Sequence, residues 1–316
     1  MKSDFNIEYT GLDKLYNTLV NGVQSYFERY SLKRAVLGLS GGLDSTIAAV
    51  ILADALGAKN VFGVSMPSII TPDTSISDAQ QLANNLDINF AEISIKNVVA
   101  SFNNDFERLF ECVDSKWGNS SRIKNSFTQD NVQARSRSVL LHAISNEYSS
   151  CIPIVTSDKS EIYMGYSTLN GDMSGGFGPI GDVVKTKLFA LGYWLNDNRT
   201  KKQVIPLSIL KKRPSAELAI DPATNKPLCA EDALMPYEFI DELIYLLEFW
   251  NIKKDELFNI QMNYERKYGI STEQKEEWIN KFFYRMQTQS FKLNFLPPIT
   301  HVEKNSYLLK CHKNFI

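Results

Sequence analysis

Residues 35–45 read AVLGLSGGLDS, a short apolar run joined to a glycine-rich turn. The apolar part, Ala35 to Leu39, has the length and composition of a buried strand. The polar part, Ser40–Ser45, leads into an alanine-rich helical pattern over residues 46–56. A strand that turns at two glycines into a helix presents backbone N–H groups that can bind an anion. This stretch therefore predicts an α/β fold with an anion site at the end of its first strand.

The surrounding sequence continues the alternation of strand and helix. Apolar runs at 61–66 and 88–95 predict two more strands, and a helical pattern at 77–86 lies between them. Such an order implies parallel pairing with right-handed crossovers. We predict a doubly wound parallel α/β sheet with an N-terminal helix at 11–30. Ligands of such sheets bind beyond the carboxyl ends of the strands.

The remaining segments are assigned from periodicity and turn residues. Ser77 and Asp78 are the predicted caps of the helix that they begin. We expect three regions, namely an N-terminal helix (1–30), a core (31–250) and a C-terminal helical extension (251–316). Further predictions are a loop at 115–127, a helix at 131–148, a strand at 152–156, a turn-rich loop at 221–227, and helices at 231–249, 253–265 and 272–286.

Composition excludes several classes of protein. The 316 residues include 34 Lys and Arg against 36 Asp and Glu, a net charge of −2, which argues against electrostatic binding of nucleic acid. No apolar run approaches the roughly 18–20 residues of a membrane helix, and the N-terminus does not resemble a signal peptide. Four scattered cysteines suggest free thiols in the cytoplasm. With three histidines, the sequence argues against a histidine-rich metal centre.

The turn Ser40–Ser45 suits a nucleotide. Ser40 and Ser45 can donate hydroxyl hydrogen bonds to phosphate oxygens, and Gly41 and Gly42 allow close approach of the backbone. Asp44 would repel a phosphate unless a cation lies between them, which points to Mg²⁺. The alternative is a simple Gly-Gly turn with Asp44 or Ser45 as helix cap. Neither GxxxxGK[ST] nor GxGxxG occurs here, so the classical mononucleotide and dinucleotide loops are not supported.

The motif SGGxDS instead resembles the pyrophosphate-binding loop of ATP pyrophosphatases. Members of that superfamily cleave ATP between the α- and β-phosphates and adenylate a substrate oxygen. Further stretches resemble NAD synthetases, in order, over residues 35–240. They are Met66-Pro-Ser68 with Ser75–Ala79, Asn131–Arg137 (NVQARSR), Thr156–Glu161 (TSDKSE, against TGNKSE in the family), Gly165–Thr186 (GYSTLNGDMSGGFGPIGDVVKT), Arg213–Leu218 and Leu234–Glu238.

The resemblance implies the last step of NAD synthesis, in which ATP activates deamido-NAD (nicotinate adenine dinucleotide) for amidation by ammonia. Site residues carry over only where motifs match. The implied catalytic residues are Asp44, Lys185 and Asp172, and the implied Mg²⁺ ligands are Asp44 and Glu161. The implied ATP-binding set is Ser40, Gly41, Gly42, Asp44, Ser45, Met66, Thr156, Lys185 and Ser215. The implied deamido-NAD-binding set is Asn131, Arg135, Arg137, Glu161, Tyr166 and Arg285.

Several of these residues also have a purely structural interpretation. Asn131–Arg137 could be a capped, solvated helix face, Glu161 a helix-capping acid and Lys185 a surface lysine. The glycine cluster 171–181 could be a flexible loop, whereas the resemblance makes it part of an active-site cover. Tyr284 stands where the family often has a substrate-binding lysine, for which Arg285 or Lys281 could substitute.

Partners follow from the resemblance as expectations. Residues 1–34 leave no room for the glutaminase domain of glutamine-dependent synthetases, so we expect free ammonia or a separate glutaminase to supply nitrogen. A homodimer is expected from the resemblance alone. The rival interpretations are another amidating or thiolating ligase of the superfamily, and a non-catalytic nucleotide-binding regulator.

Overall fold

A four-stranded parallel sheet forms the centre of the protein. The structure, a computed structural model, describes residues 11–117, 127–199, 203–215, 217–221 and 226–308. The strands lie in the order β3-β2-β1-β4, and β1 pairs with β2 through Ala35 and Val61 and with β4 through Ala35 and Ile152. The predicted parallel sheet is confirmed. The strand bounds are β1 Arg34–Gly38, β2 Val61–Ser65, β3 Asn89–Glu92 and β4 Cys151–Pro153.

Helices cover the sheet and continue beyond it. Those of the sheet domain are α1 Leu12–Arg29, α2 Leu43–Leu56, α3 Asp73–Leu86, α4 Lys96–Trp117, α5 Thr128–Glu147, α6 Lys159–Met164 and α7 Lys185–Asn198. The later ones are α8 Leu207–Lys211, α9 Ala230–Ala233, α10 Tyr237–Phe249, α11 Lys254–Leu257, α12 Asn263–Tyr268 and α13 Thr272–Gln289. Two short antiparallel strands, β5 Ile220–Asp221 and β6 Lys226–Pro227, and two 3₁₀ helices, Ala58–Asn60 and Ser290–Phe295, complete the described elements.

Both faces of the neighbouring strands β1 and β2 are buried, as expected in a doubly wound fold. Side chains alternate along β1, so Ala35 and Leu37 join the core that α1, α2 and α7 close. Val36 points to the opposite face and joins a smaller core with Val64 of β2 and Leu141 of α5. The continuous apolar run at 35–39 follows from this burial on two sides.

A third core fixes helix α6 from outside the sheet. Met164 of α6 packs into one apolar cluster with Phe239 of α10 and with Ile279 and Phe282 of α13. All four side chains are fully buried. The C-terminal helices therefore support the segment that follows β4, and this segment carries site residues.

The connection between α6 and α7 is packed against the sheet. Val155 donates a backbone hydrogen bond of 2.9 Å to Phe177, and Ile154 and Phe177 form a parallel bridge beside β4. A Cβ atom at Gly176 would overlap the side chain of Ile152. The glycines of this connection thus permit close packing, which differs from the flexible-loop alternative.

Some predicted boundaries are wrong. Helix α3 begins at Asp73, directly after Pro72, so Ser77 and Asp78 lie inside it and do not cap it. The helix predicted at 231–249 is divided into α9 and α10, because Pro236 lacks an N–H and its ring clashes with a preceding helical turn.

Other segments differ as well. The helix predicted at 253–265 is two short helices, α11 and α12. Helix α4 was not predicted, and it includes residues 115–117 of the predicted loop, while 118–126 lie outside the described residues. Of the predicted loop 221–227, residues 222–225 lie outside them too. Within the described part of the chain, no helix is long and apolar enough to cross a membrane.

Candidate active site

The site lies at the carboxyl ends of β1 and β4. From β1 the chain passes to β2 and β3 on one side, and it later returns to β4 on the other side of β1. The loops after β1 and β4 therefore diverge and open a crevice. The loop Ser40–Ser45 follows β1, and the segment Thr156–Glu161 follows β4. The two motifs singled out in the sequence therefore border the same crevice.

The loop after β1 leads directly into the N-terminus of α2. Gly41 has φ = +74°, and a Cβ atom there would overlap the backbone carbonyl of Ser75, so only glycine fits. Gly42 is the N-cap of α2 and has no side chain to satisfy the first N–H groups of the helix. These N–H groups and the helix dipole form a ready anion site.

The hydroxyl groups of Ser40 and Ser45 form hydrogen bonds within the loop. Ser45 Oγ donates to the carbonyl of Gly42 (3.2 Å) and lies 3.2 Å from Ser40 Oγ. The backbone N–H of Gly42 donates to Ser40 Oγ at 3.2 Å. Each bond is long, so a phosphate oxygen with better geometry can replace it at little cost.

The segment after β4 begins helix α6 with a capping box. Asp158 is the N-cap, and its Oδ1 accepts from the backbone N–H of Glu161 at 2.9 Å. In return the N–H of Asp158 donates to Glu161 Oε2 at 3.3 Å. This reciprocal pair fixes the orientation of both carboxylates at the start of the helix.

Lys185, the first residue of α7, joins the two loops. Its Nζ atom lies 2.8 Å from Asp44 Oδ2, 2.6 Å from Asp158 Oδ2 and 3.1 Å from Glu161 Oε1. The lysine is 1% exposed, and its ammonium also lies 5.0 Å from the centre of the Tyr237 ring. It is a buried residue of the crevice, which excludes the alternative of a surface lysine.

Burial and charge act together on this group of ionisable side chains, which we call the Lys185 cluster (Asp44, Asp158, Glu161 and Lys185). Burial raises the pKa of Asp158 to about 7, although Lys185 opposes the rise. Burial also raises the pKa of Glu161 well above its ordinary value. For Lys185 burial alone would lower the pKa, but the three acids raise it well above that of a free lysine. Lys185 is therefore protonated at neutral pH.

The donor set of the cluster fits a hard divalent cation. One carboxylate oxygen from each of Asp44, Asp158 and Glu161 lies within 4.8 Å of the others. Mg²⁺ prefers oxygen ligands such as these carboxylates, and the positive charge of a bound cation would favour their ionised forms despite burial. Asp44 and Glu161, the two predicted metal residues, also reach the solvent, with side chains 23% and 19% exposed.

Three predicted residues meet at a turn beside α5. Asn131 Oδ1 accepts from Thr168 Oγ1 at 2.8 Å, and Arg135 Nε donates to the carbonyl of Leu169 at 3.1 Å. Asp172 Oδ1 accepts from the N–H of Thr168 at 2.6 Å, and burial raises the pKa of Asp172 to about 6. Asn131, Arg135 and Asp172 thus hold the turn 168–172 against the start of α5.

Other predicted residues lie elsewhere around the crevice. Arg137 Nε donates to the carbonyl of Met66 at 3.1 Å, directly after β2, and burial lowers the pKa of Arg137 to about 10. Thr156 is half-buried, two residues before Asp158. Ser215 Oγ donates to the carbonyl of Leu228 at 2.7 Å, so this hydroxyl stabilises its own loop.

The residues near α13 form another group. Arg285 Nε donates to the carbonyl of Met164 at 2.8 Å, and the Arg285 charge acts on the neighbouring Tyr166. Lys281 Nζ donates to the carbonyl of Leu234 at 2.6 Å, at the end of α9, and Tyr284 is 67% exposed. Of the two candidates to replace the family lysine, Lys281 stabilises a helix end, and Arg285 is the one beside Tyr166.

Sequence reasoning missed Asp158 and Tyr237 as members of the site. The pattern Asp-x-x-Glu at 158–161 is a sequence signature of a capping box and indicates the start of a helix. It does not indicate that Asp158 faces a lysine that follows 27 positions later. Tyr237 gives no local signal, because only the packing of α10 beside α7 brings its ring to Lys185.

A parallel sheet in this order, with SGGLDS between its first strand and the next helix, defines a protein of the adenine nucleotide alpha-hydrolase fold class. The profile of the NAD synthase family matches residues 15–285. The chain belongs to the NAD synthase family.

Individual relatives agree with this assignment. A glutamine-dependent NAD(+) synthetase from Synechocystis is 40% identical over 233 residues, which are 73% of this chain and 38% of that protein. The NH3-dependent NAD synthetase from Campylobacter jejuni has a TM-score of 0.63 and 26% identity, with 89% of this chain and 95% of that chain covered. An NMN synthetase from Francisella tularensis has a TM-score of 0.64 and 25% identity, with coverage of 90% and 97%. The chain spans 38–48% of the length of the curated glutamine-dependent relatives that it matches.

Proposed function

We propose that the protein is an ATP-dependent NAD synthetase that amidates deamido-NAD with ammonia. The observation that carries this proposal is the Lys185 cluster beside the SGGLDS loop, in a chain of the NAD synthase family. The cluster offers a fixed positive charge and oxygen ligands where the phosphates of a nucleotide would meet the N-terminus of α2.

The reaction proceeds in two displacements at bound substrates. A nicotinate carboxylate oxygen attacks the α-phosphorus of ATP, the bond to the β-phosphate oxygen breaks, and pyrophosphate leaves. The N–H groups at the start of α2, the hydroxyls of Ser40 and Ser45, and the ammonium of Lys185 neutralise the charge of the leaving pyrophosphate. Ammonia then attacks the acyl carbon, AMP departs, and the ammonia nitrogen releases a proton to water.

Asp44 and Glu161 are the proposed ligands of Mg²⁺, and Asp158 is the fully buried third acid beside them. When bound, the cation would neutralise phosphate charge beside these acids. The residues of the chain position the reactants, since no protein nucleophile is required. Asn131, Arg135, Arg137, Tyr166 and Arg285 are proposed to bind deamido-NAD, with Asp172 holding the turn that Asn131 and Arg135 contact. Met66, Thr156 and Ser215 complete the proposed ATP site.

The direct test is NAD formation by the purified protein with deamido-NAD, ATP and Mg²⁺. We expect NAD, AMP and pyrophosphate in equal amounts with ammonium chloride, and no NAD with glutamine alone. A parallel reaction with nicotinate mononucleotide is needed, because an NMN synthetase is among the structural relatives. NAD from glutamine would contradict the nitrogen donor. Absence of product with either acceptor, despite ATP binding, would favour a regulator, and pyrophosphate release with a different acceptor would favour another ligase.

We also propose a homodimer, formed through α4 and α5. Val98, Phe102 and Leu109 lie on one side of α4 and are 38–52% exposed, and Val139 of α5, which packs on α4, is 67% exposed. Light scattering should give twice the mass of the chain. Val139→Asp should shift the mass to that of a monomer, whereas Leu207→Asp, at an exposed apolar residue of α8, should not. A monomeric wild-type protein at micromolar concentration would contradict this interface.

The division into an N-terminal helix (1–30), a core (31–250) and a C-terminal extension (251–316) is kept as a proposal. A separate glutaminase is proposed as a partner only if the purified protein saturates poorly with ammonium. Free ammonia and ammonia from a separate glutaminase would enter the same reaction at the Lys185 cluster.

A further inference from the structure

The three acids around Lys185 differ in their access to solvent. The side chains of Asp44 and Glu161 are 23% and 19% exposed, whereas that of Asp158 is 0% exposed. Asp44 and Glu161 therefore border the open side of the crevice, where a nucleotide and its cation must arrive. Asp158 is fully buried and does not reach that side.

The orientation of Asp158 does not depend on Lys185. Its Oδ1 is held by the N–H of Glu161 as the N-cap of α6, at 2.9 Å. Its Oδ2 is buried, has no hydrogen-bond partner among the described residues, and lies 2.6 Å from Lys185 Nζ in an ion pair. The start of α6 thus aims one carboxylate oxygen at the ammonium group.

The other two contacts of the ammonium are the ones that a bound cation would compete for. A bound divalent cation would be held by the oxygens of Asp44 and Glu161, because these two are the accessible ligands. Lys185 would then be a buried ammonium group that has lost two of its three ion pairs. Such a buried charge is costly unless one acid stays paired with it. Of the three acids, Asp158 is the one that can stay paired, because it is fully buried and its other oxygen is fixed by the N–H of Glu161.

We propose that Asp158 is a positioning residue, the fixed counter-ion that keeps the Lys185 ammonium in the crevice while Asp44 and Glu161 serve a cation. The catalytic consequence rests on the proposed function, whereas the ion pair itself does not.

The test is a double-mutant cycle of thermal stability without nucleotide or metal, using wild type, Asp158→Asn, Lys185→Met and the double variant. Asparagine keeps an oxygen for the capping bond and removes only the charge. We expect the change in Tm caused by Asp158→Asn to be more negative with lysine than with methionine at 185, by about 3 °C or more. A capping role alone would give the same change in both backgrounds, and this result would overturn the ion pair.

A kinetic arm tests the positioning role. For Asp158→Asn we expect kcat for NAD formation to fall about 10- to 100-fold with the KM for ATP changed less than threefold, because the loss concerns the transition state. An unchanged kcat in a variant whose stability cycle shows coupling would overturn the positioning role. If the wild-type protein forms no NAD, the proposed function fails, and the stability cycle still decides whether Asp158 is the counter-ion.

Discussion

Replacing Asp44 with asparagine is expected to lower the rate of NAD formation about a thousandfold and to leave the protein folded. Asp44 is one of the two accessible acids of the Lys185 cluster and the only one that the SGGLDS loop contributes. Asparagine keeps the size of the side chain but removes a full charge from the proposed metal site. Lys185 retains Asp158 and Glu161, so little stability should be lost. Steady-state kinetics over a range of Mg²⁺ concentrations, with the Tm of both proteins, measures this.

Asp54→Asn is the matched control, since Asp54 lies near the other end of α2. Asp54 pairs with Arg199 and accepts a hydrogen bond of 2.5 Å from Tyr16. This variant should lose some stability and keep its kcat. If Asp44→Asn retained the wild-type rate at every Mg²⁺ concentration, the assignment of Asp44 as metal ligand would be abandoned.

The strands and helices could be predicted from the sequence where a short stretch of residues determines them. The strands near Ala35 and Val61 are short apolar runs between helical patterns, and this alternation of strand and helix predicts parallel pairing. Helix α4 also has a local signal, because Phe102, Phe106 and Phe110 repeat every four residues. In the structure the rings of Phe102 and Phe106 stack, and those of Phe106 and Phe110 lie 5.9 Å apart in a tilted arrangement.

The site could be predicted only in part, because its geometry comes from packing between distant segments. Asp44 and Lys185 are separated by 141 positions, and their motifs indicated a shared site without indicating an ion pair. That Lys185 lies among three acids depends on how α7 packs against α2 and α10. No spacing in the sequence predicts this arrangement, so only the three-dimensional structure shows that Asp158 and Tyr237 belong to the site.

Replacing Lys185 with methionine is expected to destabilise the protein by about 3–5 kcal/mol at pH 8 and by much less at pH 5. Without the ammonium, the buried acids of the cluster lose their only described counter-ion. The folded-state pKa values of Asp158 and Glu161 are already raised by burial, and removal of the positive charge raises them further. The unfolded acids titrate near pH 4, so the folded state holds more protons between the two values. Stability must then fall as the pH rises through this interval.

Lys187→Met supplies the control for this experiment. Lys187 lies on the same helix, but it is 44% exposed and pairs with Glu303 at 3.1 Å on the surface, so its loss should change stability by about 0.5 kcal/mol or less at either pH. Urea unfolding of both variants at pH 5 and pH 8 gives the comparison. Millimolar Mg²⁺ should restore part of the lost stability of Lys185→Met at pH 8, because a divalent cation can replace the ammonium among the carboxylates. An equal loss at both pH values would show that the lysine acts through packing, and the three acids would then not form a charged site.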